Sequence, residues 1–263
     1  LIIAGSNKYP GAAFLALKGS MASGVGSIKC ALPRTISNSV WNTLPEVVQL
    51  DDSKYFDDGN LSIENSLKGF ELQSIDSLLI GPGLGLQGEE WGKFANYLQD
   101  FLGLLVIDAD ALNRLSLYQV SLKWLKERKG FTWLTPHHKE FRRLFKTISH
   151  STPLQEAKEA ALLSGCGILL KGANSVIADP SGASWQLANT FSPSARAGLG
   201  DVLAGFVAGL GAIRLSEKKI LNTELLAAAA LLHSEAAFTC QEGTNASLIA
   251  DEIALKVKQI QTS

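Results

Sequence analysis

Residues 167–187 read "GILLKGANSVIADPSGASWQL", and two structural rhythms meet inside them. Gly167 to Leu170 is a short apolar run of the kind expected of a strand covered on both faces. Val176 to Ala178, the turn "DPSG" at 179–182 and Ser184 to Leu187 instead spell a short antiparallel hairpin, with Pro180 and Gly182 supplying the turn chemistry. Upstream, the first rhythm prevails. Candidate strands at Leu1 to Ala4, Ser27 to Ala31, Val47 to Leu50, Ser77 to Ile80, Leu104 to Ile107 and Thr132 to Leu134 alternate with helical stretches at 12–23, 89–101, 120–128 and 154–164. That alternation predicts an α/β fold in three layers, a mostly parallel central sheet between helices, with the antiparallel hairpin near residues 167–187 beside it. Three helices follow: Gly200 to about Leu210, Glu224 to about Cys240, and Ile249 to Gln261.

Length and composition agree with a single domain over residues 1–263. A chain of 263 residues, 46% hydrophobic, can bury one large core. Its 24 Lys plus Arg balance 25 Asp plus Glu, so no broad field attracts nucleic acid or anionic lipid, and neither is expected as a partner. Cys30, Cys166 and Cys240 lie far apart and match no metal-ligand spacing, which fits a reducing, cytoplasmic setting. The longest apolar runs, such as "LLAAAALL" at 225–232, fall short of the ~20 residues that a bilayer span needs. The chain opens at Leu1 inside a strand pattern without an initiator Met, so a further segment upstream is expected. The acidic stretch "DDSKYFDD" at 51–58 reads as a solvated loop.

One ionisable residue stands out in "SARAGLGDVLAGFVAGLGA" at 194–212. A helix starting near Gly200 would leave unpaired backbone N–H groups on its first turn, with the positive end of the helix dipole behind them. Gly198 and Gly200 would let that backbone approach a phosphate without obstruction. Gly205 and Gly209, each costing ~1 kcal/mol against Ala in a helix, make sense only if another backbone packs close. Asp201 could simply complement the dipole of this helix. A cap alone does not require two flanking glycines, however, and an acid beside a phosphate cradle is well placed to take a proton from an attacking hydroxyl.

"GLGLQG" at 83–88 follows a strand, and Asp108 lies some twenty residues on, which fits the fingerprint of a dinucleotide-binding turn. Gly81 and Pro82 interrupt the strand-to-glycine junction that this fingerprint needs, and the strand would be the fourth in order. A glycine-rich substrate loop is the alternative.

Six segments in order carry a family resemblance across nearly the whole chain: "AGSNKYPGAAFLA" (4–16), "LLIGPGLG" (78–85), "VIDADALN" (106–113), "LTPHHKEF" (134–141), "LLKGANSVIADPSG" (169–182) and "GLGDVLAG" (198–205). The sequence resembles the ADP/ATP-dependent NAD(P)H-hydrate dehydratases of the ribokinase-like superfamily. The resemblance implies a lyase that repairs hydrated NADH and NADPH, with ADP or ATP as co-substrate and Mg2+. The nucleotide phosphorylates the hydroxyl on the damaged ring, and loss of phosphate restores the double bond. It further implies that Asp201 is the general base and also touches substrate. Lys171, Gly172, Ala173, Asn174 and Ser175, with Gly198 and Gly200, would hold the nucleotide. Ala13, Gly83, Gly85 and His137 would contact the hydrated dinucleotide. A homo-oligomer is expected on the same ground.

Metal ligands are left open: Asp108 and Asp110 suit either Mg2+ or the capping of a following helix. His138 is expected to face solvent and His233 to be a hydrogen-bonded core residue. The chain departs from the family pattern at Ala197, where a glycine is more usual, and at His138, where proline is more usual. Neither departure removes the base. Two other classes remain, a ribokinase-like small-alcohol kinase that keeps its phosphorylated product and a nucleotide-binding protein without catalysis.

Overall fold

The structure, a computed structural model, describes residues 1–50, 61–68, 70–85, 87–188, 196–241 and 244–262. The acidic stretch at 51–58 lies outside the described residues. Short, almost wholly apolar runs become strands because both of their faces are covered: β4 (Ser77–Ile80), β5 (Leu104–Ile107) and β7 (Gly167–Leu170) are buried at every position. With β1 (Ile2–Ile3), β2 (Ile28–Ala31), β3 (Val47–Gln49), β6 (Thr132–Leu134), β8 (Val176–Ala178) and β9 (Ser184–Gln186) they form a sheet of nine described strands. The order is β3-β2-β1-β4-β5-β6-β7-β8-β9, parallel from β3 through β7. β8 and β9 are antiparallel, Leu169 pairing with Ile177 and Ile177 with Trp185. The change of rhythm at residues 167–187 is therefore a change of strand direction.

Helices cover both faces. On one side α1 (Pro10–Ala22), α2 (Arg34–Thr43), α9 (Leu199–Ser216), α10 (Thr223–Cys240) and α11 (Ala246–Thr262) share a core with Leu79, Leu104, Val106 and Leu169. On the other, α3 (Ile63–Leu67), α4 (Ala95–Gln99), α5 (Ala109–Leu115), α6 (Ser121–Glu127), α7 (His138–Leu144) and α8 (Pro153–Ser164) pack on Leu78, Ile80, Leu105, Ile107 and Ile168. The residues alternate along each strand because successive side chains leave a sheet on opposite faces.

The helix expected at 89–101 is broken into a 3₁₀ turn at Trp91–Lys93 and the short α4. Gly92 weakens a continuous helix, and the break lets Trp91 and Phe94 both enter the core, their rings 5.0 Å apart. Helices α2, α5 and α7 add to the expected set: α2 buries Ile36 and Val40 one turn apart, α5 and α7 are too short to show an apolar period, and α7 starts on an unexpected cap described below. α9 has the length and composition of a membrane-crossing helix, but its glycine face is buried against α1. A Cβ at Gly205 would sit 1.8 Å from the carbonyl oxygen of Ala16, so the two backbones are in direct contact.

Candidate active site

In a parallel sheet the carboxyl ends of the strands all open on one side, and ligands bind in the crevice there. Here β1 leads to Ser6, β4 to Gly83, β5 to Asp108, β6 to His137 and β7 to Lys171. The first turn of α9 comes to the same place and brings Asp201. A cavity of about 790 Å³ opens between them, lined among others by Lys8, Tyr9, Ala12, Gly83, Gly85, Asp110, Asn113, His137, Glu140, Arg143 and Asp201. That volume suits a large organic ligand.

The start of α9 has the geometry of an anion site. Its N-cap is Gly198, at φ +90°, and no side chain caps the turn. A side chain at Gly198 would be strained, and its Cβ would lie 2.2 Å from Leu15 Cδ1. The amino group of Lys171 sits over the turn, 3.3 Å from where a Cβ at Gly200 would be. Exposed N–H groups, a helix dipole and an ammonium thus converge on one spot. Asp201 is at the third helical position of this turn, and no hydrogen bond to its carboxyl occurs among the described residues.

Lys171 is not a surface lysine. Its Nζ donates to Asp108 Oδ1 at 2.7 Å, and Asp108, 1% exposed, accepts a second bond from Thr135 Oγ1 at 2.8 Å. Burial alone would lower the Lys171 pKa, but Asp108 and Glu140 outweigh it and raise it, so the side chain is a firm cation. Asp201 moves the other way. Burial, then the charge of Asp108, pushes its pKa up to about 7, with Asp110 and Glu140 adding to the rise and Lys171 opposing it. A carboxyl poised there exchanges a proton near neutral pH, which is what general-base work requires.

The two aspartates left open part company. Asp108 precedes α5 but makes no capping bond; its oxygen is spent on Lys171 and Thr135. Asp110 Oδ2 accepts the N–H of Gly85 at 2.8 Å, across the cavity wall. Among the described residues no group of three or more His, Cys, Asp or Glu is arranged to hold a metal ion.

His137 both lines the cavity and caps α7. Its Nδ1 accepts the N–H of Lys139 at 3.0 Å and of Glu140 at 3.3 Å, while Glu140 Oε2 accepts the N–H of His137 at 2.9 Å. Burial and the nearby Lys171 lower its pKa, which keeps the imidazole neutral and its Nδ1 free to accept. Ala13 is fully buried, and it is Ala12, one residue earlier, that lines the cavity. Successive side chains on a helix point about 100° apart, which a linear motif does not reveal. Gly172, Ala173 and Asn174 are exposed beyond Lys171, and Ser175 Oγ donates to the Gly172 carbonyl at 3.2 Å, closing the turn before β8. His138 is exposed. His233 is only half-buried, but its Nε2 lies 3.1 Å from the Leu199 carbonyl, and burial pulls its pKa down to about 4.

The glycine loop at 83–88 does not form a dinucleotide-binding turn. Gly85 gives its N–H to Asp110, the carbonyls of Leu84, Gly85 and Gln87 accept from Arg114, and a 3₁₀ turn follows where that turn needs a helix. Sequence reasoning missed Tyr9, Asn113 and Arg143 in the cavity wall. Tyr9 and Asn113 lie within the quoted segments, whereas Arg143 reads from sequence as one more charge on an exposed helix.

Residues 1–259 match the model of the NAD(P)H-hydrate dehydratase family. The bifunctional NAD(P)H-hydrate repair enzyme Nnr of Gloeobacter violaceus is 38% identical over 80% of the chain, which covers 40% of that protein. Nnr of Synechocystis is 34% identical over 90% of the chain, covering 43% of that protein. The chain thus spans less than half the length of these relatives. Among solved structures, the ADP/ATP-dependent NAD(P)H-hydrate dehydratase of Bacillus subtilis, co-crystallised with ATP/Mg2+, superposes with a TM-score of 0.76 at 26% identity, covering 98% of this chain and 88% of that one. A ribokinase-like superfamily protein from Enterococcus faecalis gives 0.78 at 23% identity, over 98% and 86% of the two chains, and shares the fold. Matched from its first strand to its last helix, the chain belongs to the NAD(P)H-hydrate dehydratase family.

Proposed function

We propose that this chain repairs hydrated NADH and NADPH at the expense of ADP or ATP. The observation that carries the reading is Asp201, a carboxyl with a pKa of about 7 at the mouth of an anion-binding helix and in the wall of a cavity of about 790 Å³. The nucleotide lies against Lys171 to Ser175, with its terminal phosphate on the first turn of α9 at Gly198 and Gly200. The hydrated dinucleotide occupies the cavity, its ring hydroxyl beside Asp201. Asp201 takes the hydroxyl proton as the oxygen bonds to the terminal phosphorus and the shortened nucleotide leaves. The C–O bond then breaks, phosphate departs with the bonding pair, and loss of a proton from the adjacent carbon restores the ring double bond.

Lys8 and Arg143, the cations lining the cavity, suit the diphosphate that joins the two halves of the substrate. Mg2+ fits as a complex with the nucleotide, held chiefly by phosphate oxygens, because no protein cage for it exists among the described residues. It would neutralise charge on the transferred phosphoryl group. The free thiols of Cys30, Cys166 and Cys240 support a cytoplasmic setting. Exposed apolar side chains support a homo-oligomer: Leu231 and Phe238 share one face of α10, and Leu248 and Leu255 one face of α11.

Incubation with hydrated NADH, Mg2+ and either ADP or ATP tests the reading. Recovery of the near-ultraviolet absorbance of reduced nicotinamide, with release of phosphate, is expected. Phosphorylation of a small alcohol with no such recovery would overturn it in favour of a kinase.

A further inference from the structure

We infer that Arg114 is a positioning residue that fixes the glycine wall of the cavity, and so sets affinity for the dinucleotide without touching the phosphoryl-transfer machinery. This inference rests on the reading of that cavity as the dinucleotide site. Arg114 is a charged side chain only 6% exposed. Its Nη2 donates to the carbonyls of Leu84 at 3.0 Å, Gly85 at 2.9 Å and Gln87 at 2.8 Å, and its Nε to Gly85 at 3.2 Å. Asp110, four residues earlier on the same face of α5, takes the N–H of Gly85. One helix therefore grips Gly85 by its donor and its acceptor together. Gly83, Leu84, Gly85 and Gln87 all line the cavity, so this grip sets the shape of its wall.

A second buried arginine shows what purely structural use looks like. Arg128 sits at the opposite end of the sheet, and its Nε, Nη1 and Nη2 are all bonded, to Thr132 Oγ1 and to the carbonyls of Leu98, Phe101, Gly103 and Phe131. Arg114 leaves Nη1 buried without a hydrogen-bond partner among the described residues. Burying a cation is costly, so the bonds that Arg114 makes to this loop must offset that cost. Holding a wall in its ligand-ready shape is the return, since a loop ordered in advance costs less to bind against.

Arg114→Lys keeps the charge and loses the fork. The Michaelis constant for hydrated NADH should rise at least tenfold, with kcat within threefold of wild type and the Michaelis constant for ATP unchanged. Amide exchange should quicken at Gly83–Gly85, Gln87 and Gly88, but not in β4 or β5. Gly88→Ala offers a second route that leaves the arginine in place. Gly88 has φ +142°, and a Cβ there would lie 2.6 Å from Arg114 Nη2, so the guanidinium must shift. The same split should appear, and the two changes together should do less than the sum of each. An unchanged Michaelis constant for the hydrate, or an equal rise for hydrate and ATP, would overturn the inference. Absence of repair by the wild-type chain would instead sink the functional reading; exchange then decides alone, and unchanged protection of these loop amides in both variants would refute the role of Arg114.

Discussion

Burial, and then the nearby Asp108, Asp110 and Glu140, hold Asp201 well above the usual carboxylate range, and the consequences for activity and for stability have opposite signs. On the proposed reading Asp201 is the base and works only when ionised, so kcat/KM should climb about tenfold per pH unit below about 7 and level off above it; a flat profile between pH 6 and 8.5 would contradict the assignment. Stability runs the other way. The folded pKa of about 7 exceeds the unfolded value of 3.8, so the folded state holds an extra proton between those limits and stability falls as pH rises through them. Asp201→Asn removes that cost, and its melting temperature at pH 8 should exceed that of wild type, with the gap narrowing as pH falls towards 4. Lys171 carries a different liability. Lys171→Met would strand the buried carboxylate of Asp108, costing about 3 kcal/mol in chemical denaturation as well as weakening nucleotide binding; unchanged stability would show the ion pair to be dispensable. Asp201 was legible from the glycine turn at its helix start, and Lys171 and His137 through the family resemblance, each at a strand end where ligand loops of a parallel sheet lie. Arg114 and Arg143 were not, because a charge on a short helix looks solvated until the tertiary structure buries it or turns it into the cavity.

Helix α9 combines the anion site with a glycine face, and the two are linked. Contact between the backbones at Gly205 and Ala16 brings α1 against α9, and α1 brings Ala12 to the cavity. Gly205→Ala should gain up to ~1 kcal/mol of helix propensity yet destabilise the protein by at least about 2 kcal/mol, because the new Cβ overlaps the Ala16 carbonyl. A stabilised variant, measured by chemical denaturation, would mean the helices are not in contact there. This pairing was legible from Gly205 and Gly209, residues with no other reason to sit mid-helix. Strands β4 to β8 were equally legible, since runs buried on both faces carry a continuous apolar signal. The short helices α5 and α7 were not: seven residues hold two turns, too few for a period, and α7 is capped by an imidazole where Ser, Thr, Asp or Asn would have announced it.

Over the whole molecule, parallel strands from β3 to β7 send their carboxyl ends to one side, and the end of β7 brings Lys171 over the start of α9. The layer architecture was legible in the alternation of strand and helix, but the convergence of residues 6–9, 83–85, 137 and 201 on one cavity, with Lys171 over the turn beside it, follows from strand order, which no local pattern encodes. The exposed apolar faces of α10 and α11 predict self-association. Sedimentation should give a mass that is a multiple of 28.1 kDa, and Phe238→Glu should shift it towards the single chain; a wild-type protein that sediments as one chain at all concentrations would remove that expectation. The claim that ties every scale together is that Asp201 takes the proton of the ring hydroxyl. It is tested most directly by assaying Asp201→Asn at pH 8 with hydrated NADH, ATP and Mg2+ while measuring nucleotide binding on the same sample. Turnover should fall by on the order of 10² to 10⁴ while nucleotide still binds and the protein melts no lower than wild type; restoration of reduced nicotinamide at a near wild-type rate by this variant would contradict the mechanism.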